Sequence, residues 1–139
     1  MSAESDKNTS PNRYHYGVGR RKSSSARSKY FPSANELVVE VNKKPISVVF
    51  HDFYAKTILN SLTQIGITTG KIELYINGGG TSGQAEAARL AIAKSLLKYD
   101  ENLRTVLRMF GYLTTDIRKV LSKKSGLRKN RKREQWSKR

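Results

Sequence analysis

Lys71-Ile72-Glu73-Leu74-Tyr75-Ile76 alternates polar and apolar side chains, Gly78-Gly79-Gly80 breaks the alternation, and Thr81 opens a run in which Ala85, Ala88, Ile92 and Leu96 recur at helical spacing. The period of two predicts a strand with one face on a core, and the next segment predicts an amphipathic helix. Leu97 and Tyr99 fall near the edge of its apolar stripe. Thr81 and Gln84 have capping-box spacing, in which each side chain satisfies a backbone donor at the helix start.

Upstream, residues 14–31 show no helical period, and Tyr14, Tyr16 and Val18 alternate with polar neighbours, so this segment reads as extended. Pro32-Ser33-Ala34-Asn35 is a turn signal. The β-branched run at residues 37–41 predicts a strand that Asn42-Lys43-Lys44-Pro45 ends. Residues 47–64 read as one helix, with Val49, Phe53, Ile58 and Leu62 near one face and Val48, Phe50 and Leu59 widening the stripe. Gly66 and Gly70 bracket a loop. Downstream, Asp100 is placed to cap a helix carrying Leu103, Val106, Leu107 and Phe110, and Gly111 to end it in the left-handed conformation. Thr114 or Thr115 could cap a last short helix reaching about Leu121. Strands come early and helices late, so the expected class is α+β, one antiparallel-rich sheet with helices on one face.

Charge divides the 139 residues sharply. Residues 13–29 carry six bases and no acid, residues 30–116 carry nine bases and eight acids, and residues 117–139 carry eleven bases against Glu134 alone. The last segment thus holds +10 of the formal +16. From Gly126 onward its only large apolar residues are Leu127 and Trp136, too few to offset the entropy of ordering it. It reads as an extended basic tail received by a polyanion, with Arg118, Lys119, Lys123, Lys124, Arg128, Lys129, Arg131, Lys132 and Arg133 as nucleic-acid contacts. The expected organisation is a disordered extension at 1–12, an RNA-binding α/β body at 13–116 and the tail at 117–139.

Other classes fit poorly. Without cysteine there are no disulfides, thiolate metal sites or cysteine nucleophile. No apolar run approaches the roughly 18 residues of a membrane span, and the tail lacks the bulky apolar face of a membrane-surface helix. No apolar stretch follows a basic start, so a soluble intracellular protein is the default expectation. His51-Asp52 could be imagined as a base and its orienting acid, but adjacent helical residues point apart and no nucleophile accompanies them. Two histidines make a poor zinc site. No enzyme activity, metal, cofactor or small-molecule substrate is expected.

Gly78, Gly80 and Gly83 form G-x-G-x-x-G between a strand and a helix, the setting of a dinucleotide site. However, the acids about 20 residues on, Asp100 and Glu101, fall between two helices and not at the end of a second strand. No Lys or Arg follows Gly83, which rules out a Walker loop. A tight strand-to-helix turn, whose helix start could meet an RNA phosphate, is the better reading. Gly17-Val18-Gly19-Arg20-Arg21-Lys22 is either a flexible edge with solvated charge or a backbone that approaches RNA while bases grip phosphates. Arg27 and Lys29 extend the patch without an intervening acid, favouring the second reading, with Arg20, Arg21, Lys22 and Arg27 as contacts. Trp136 is available to stack on a base or sugar, or to dock on a partner protein.

Three segments in order carry a resemblance. Gly17-Val18-Gly19-Arg20-Arg21-Lys22 with Ala26-Arg27 resembles the opening motif of the family of the ninth protein of the small ribosomal subunit, bacterial type. Gly78-Gly79-Gly80-Thr81-Ser82-Gly83-Gln84, continuing through Ala87, Ala91, Ala93 and Lys94-Ser95-Leu96, is similar to that family's signature. Lys123-Lys124-Ser125-Gly126-Leu127-Arg128-Lys129 and Gln135-Trp136-Ser137-Lys138-Arg139 resemble its terminal tail. Thr115 departs from the family's Arg, Leu121-Ser122 from a charged pair, and Trp136 from Phe or Tyr.

The resemblance implies a two-layer α/β sandwich with a left-handed crossover, like the second domain of ribosomal protein five. It implies a non-catalytic ribonucleoprotein component, in cytoplasmic ribosomes, bound to the 3′ major domain of small-subunit rRNA beside other proteins of the head. The basic residues above would then be rRNA contacts. Ser137, Lys138 and Arg139 would lie near the anticodon stem-loop of peptidyl-site tRNA during translation. At about 3.3 Å per residue the 23-residue tail could reach about 75 Å, ample for that path.

Overall fold

A computed structural model describes residues 13–138. The expected disorder of residues 1–12 lies outside the described residues, as does Arg139. Five strands, β1 (His15–Arg21), β2 (Ser24–Phe31), β3 (Val38–Val41), β4 (Lys44–Pro45) and β5 (Lys71–Asn77), form one sheet in the order β1-β2-β5-β3-β4. The helices are α1 (Ile46–Val49), α2 (Asp52–Ile65), α3 (Thr81–Tyr99) and α4 (Leu103–Met109). Among the described residues only β3 and β5 pair in parallel. A parallel pair needs a crossover, and α1 and α2 supply it.

The expected α+β architecture is present. Ile72, Leu74 and Ile76 of β5 are buried, as the alternation requires, beside Val39 and Val41 of β3 and Ala26 and Tyr30 of β2. α3 packs against β1, β2 and β5 on one side and against α2 on the other. This explains why Ala87, Leu90, Ala91 and Ala93 are buried along with the expected Ala85, Ala88, Ile92 and Leu96. A helix covered on two sides must be apolar around most of its circumference.

The edge strand reverses an expectation. Tyr14 and Tyr16 are substantially exposed, while Gly17 and Gly19 are buried. A Cβ on Gly17 would collide with the Ala91 carbonyl oxygen, and one on Gly19 with that of Ala87. Ser28 Oγ donates to Ala91 O at 2.8 Å beside this contact. The two glycines therefore let β1 approach the backbone of α3 and are not free for RNA.

Four local corrections follow. The helix expected over residues 47–64 breaks at Phe50 and His51, both extended, because that turns Phe50 into the core. Val48 and Phe53, counted as apolar-face residues, remain 71% and 69% exposed. The capping box does not form: Gly80 is the N-cap, and Gln84 Nε2 donates to Gly78 O at 3.0 Å. Asp100 accepts from the amide of Asn102, the residue just before α4. Gly111 (φ +69°) does end α4 as expected, with Gly111 N donating to Arg108 O and Tyr112 N to Leu107 O. No helix forms from Thr114 to Leu121, where Ile117 and Val120 find no apolar surface and so leave an isolated turn unsupported.

Candidate nucleic-acid interface

The two-residue connection between β1 and β2 decides where the first basic cluster points. Arg21 pairs with Ser24 across it, and Lys22 takes φ +52° at its tip, projecting outward. Because a strand alternates, Arg20 and Arg21 go to opposite faces of the sheet. Arg20 is exposed, whereas the Arg21 side chain is only 13% exposed and is bound internally. Its Nε lies 2.5 Å from Glu86 Oε2 on α3, its Nη2 3.2 Å from Asp116 Oδ2, and its Nη1 donates to Arg118 O at 3.0 Å.

Asp116 completes this knot. It accepts from Arg118 Nη2 at 2.7 Å, from Arg118 Nε at 3.0 and 3.1 Å, and from the Arg118 amide at 2.9 Å. The Arg118 side chain, then its amide, and more weakly the charge of Arg21, hold the Asp116 carboxyl well below the usual carboxylate range. Arg21 thus ties the start of the tail to β1 and α3, and Arg118 is partly engaged by its neighbour. Of the expected contacts, Arg21 is the one turned inward.

Between the hairpin and residues 115–119 lies a cleft of about 690 Å³, lined by Arg20, Lys22, Ser23 and Ser25 on one side and by Thr115, Ile117 and Lys119 on the other. Its one acid, Asp116, already faces two guanidinium groups. The fold therefore brings Arg20, Lys22 and Lys119 together around an opening with excess positive charge. Arg27 stands apart on the exposed face of β2, with Lys29 on the same face two residues on.

Beyond this cleft the chain to Lys138 contains no helix or strand, and every residue except Leu127 and Asn130 is exposed. Lys123, Lys124, Arg128, Lys129, Arg131, Lys132 and Arg133 are strung along it, interrupted by a turn in which Leu127 N donates to Lys124 O at 3.3 Å and by a loop in which Arg128 N donates to Lys132 O at 2.7 Å. Trp136 is 83% exposed. Ser137 and Lys138 sit at its end, exposed.

The glycine loop offers no dinucleotide site. Gly78 and Gly79 adopt positive φ, and a side chain on Gly79 would strike Ser24 Oγ, so the loop is packed on the hairpin. α3 leads into α4 and not into a second parallel strand. Among the described residues no cluster of His, Asp and Glu could hold a metal ion. The candidate contacts left out Arg89, whose guanidinium stands 5.1 Å from the Tyr112 ring; in the sequence it is one of three bases on an Ala-rich helix, with Lys94 and Lys98.

A family model described as "Ribosomal protein S9/S16" matches residues 19–139, including β2, the glycine loop, α3 and the tail. The chain therefore belongs to the S9/S16 family of ribosomal proteins, the structural, rRNA-binding constituents of the small ribosomal subunit in the cytoplasm.

Proposed function

We propose that residues 13–116 act as a body anchored on the rRNA of the subunit head, in its 3′ major domain beside neighbouring head proteins, and that residues 117–139 form an arm reaching the anticodon stem-loop of peptidyl-site tRNA. The observation carrying this reading is a long exposed basic segment whose root is pinned to the body by Arg21 and Asp116. Arg20, Lys22, Arg27 and the tail cations are the rRNA contacts, with Arg118 contributing the edge that Asp116 leaves free. Arg21 contributes by aiming the arm.

Ser137, Lys138 and Arg139 are the tRNA contacts. A decoding site accepts every tRNA, so phosphate and shape contacts suit it better than base reading. The crossover joining β3 to β5 is, on this reading, the left-handed one of the second domain of ribosomal protein five. The test is removal of Ser137-Lys138-Arg139. Subunits should incorporate the shortened chain normally yet hold peptidyl-site tRNA several-fold more weakly, a loss of about 1 kcal/mol or more. Equal tRNA affinity with unchanged reading-frame accuracy would refute the arm.

A further inference from the structure

The sheet has a second face, which α3 does not cover. Two cross-strand rows meet there: Val18, Arg27 and Tyr75, then Tyr16, Lys29 and Glu73. Tyr16, Arg27, Lys29 and Tyr75 line one shallow depression of about 260 Å³. Lys29 Nζ stands 5.5 Å from the centre of the Tyr75 ring. The Tyr75 hydroxyl donates to Glu73 Oε2 at 3.3 Å, which fixes the ring at its far edge.

The charges on this face are unevenly paired. Glu40 and Glu73 both bind Lys71, at 3.1 and 3.3 Å. Arg27 and Lys29 have no carboxylate partner among the described residues. Lys29 Nζ also stands 4.9 Å from the centre of the Tyr14 ring, and Lys98 Nζ of α3 5.8 Å from that of Tyr16. Partly exposed aromatic rings beside cations that no carboxylate balances are more than a water-facing sheet surface requires. An acidic peptide would use the cations and leave the rings idle, and an RNA duplex would offer phosphates but keep its base faces stacked. Unpaired RNA uses both, with bases on the rings and phosphates on the cations.

We propose that this open face is a platform for unpaired rRNA nucleotides, with Tyr16 and Tyr75 each stacking a base and Arg27 and Lys29 holding the adjoining phosphates. It rests on the rRNA contact proposed above and extends it to Tyr16, Lys29 and Tyr75. Tyr75 replaced by photoreactive p-benzoylphenylalanine, in the full chain within purified small subunits, should cross-link to an unpaired rRNA nucleotide. A cross-link confined to protein or to helical rRNA, or none from subunits that contain the chain, overturns the platform and leaves the rRNA reading standing. A chain absent from the subunits overturns both.

A second measurement uses a single-stranded segment of head rRNA. The Tyr16→Leu, Tyr75→Leu double variant should bind it on the order of tenfold more weakly, with the salt slope and thermal midpoint unchanged. Arg27→Gln with Lys29→Gln should instead lower that slope by about 1.4. Wild-type affinity in the tyrosine double variant would sink the proposal.

Discussion

The two basic segments are held in opposite ways. In the hairpin, ladder pairing and the glycine contacts with α3 fix each cation, so that Arg20 and Arg21, adjacent in sequence, end on opposite faces with opposite uses. From Ile117 to Lys138 no ladder assigns faces, and the cations are uniformly exposed. The same residue types are therefore individual in one segment and interchangeable in the other. Composition is enough to read the tail as exposed, whereas in the hairpin only the position on the strand tells an exposed cation from a sheltered one.

The largest test is to remove the interchangeable charges. Changing Lys123, Lys124, Arg128, Lys129, Arg131, Lys132 and Arg133 to glutamine should reduce the slope of log K against log salt for head rRNA by up to about 5, at about 0.7 per phosphate contact. The thermal midpoint should not move, since these side chains support no core. An unchanged slope in a salt titration would place this part of the chain outside RNA. Any four of the seven should act much like any other four, which is the sharpest statement of interchangeability.

The converse test strikes the hairpin's support. Gly19→Val drives a branched side chain into the Ala87 carbonyl and should cost about 1–3 kcal/mol by thermal unfolding. Gly126→Ala, at φ +72° with open space around it, strains only a tail turn and should leave the midpoint where it is. Equal shifts from the two would mean that tail and body unfold as one unit.

Much of this contrast was legible in the sequence, and the failures have a common cause. Residues 71–96 were readable because a clean period of two met a clean helical period at three glycines, and the tail because its composition forbids a core. Gly17 and Gly19 were read as a backbone that approaches RNA because a glycine carries no side chain to show that its face packs on α3. Phe50 was misplaced because a helical wheel cannot register a single ring leaving it for the core. The inward turn of Arg21 depends on Glu86 and Asp116, which are 65 and 95 residues away, and no local pattern reports that. The expected helix at residues 114–121 failed because its apolar residues had nothing beneath them, which is likewise a fact about the assembled fold.

A smaller effect separates the two adjacent arginines. Arg21→Gln should lower stability by about 1–2 kcal/mol, since it strips a sheltered guanidinium from Glu86, Asp116 and the Arg118 carbonyl. Arg20→Gln should leave stability unchanged and weaken rRNA binding, reducing the salt slope by about 0.7. If the two variants exchange these phenotypes, the alternation assigned to β1 is out of register by one residue.

The smallest effect is the most local, because it concerns the point where the ordered body gives way to the tail. Asp116 has its folded-state pKa depressed, chiefly by Arg118, so the clamp's contribution is complete above the ordinary carboxylate range. It is lost as pH falls below that range and through the folded value, never as pH rises. The clamp is open to solvent, so this contribution to global stability is slight. The informative readout is therefore local: NMR shifts of the Asp116 carboxyl and of the Arg118 Nε–H should hold steady through the ordinary carboxylate range and move together only below it. The Arg21 side chain should follow them, since Asp116 is one of its two carboxylate partners. Asp116→Asn should abolish the joint acid transition. If the Arg118 signal instead titrates with an ordinary carboxylate midpoint, the tail leaves the body unclamped, and the hairpin and tail are less different at their junction than their burial implies.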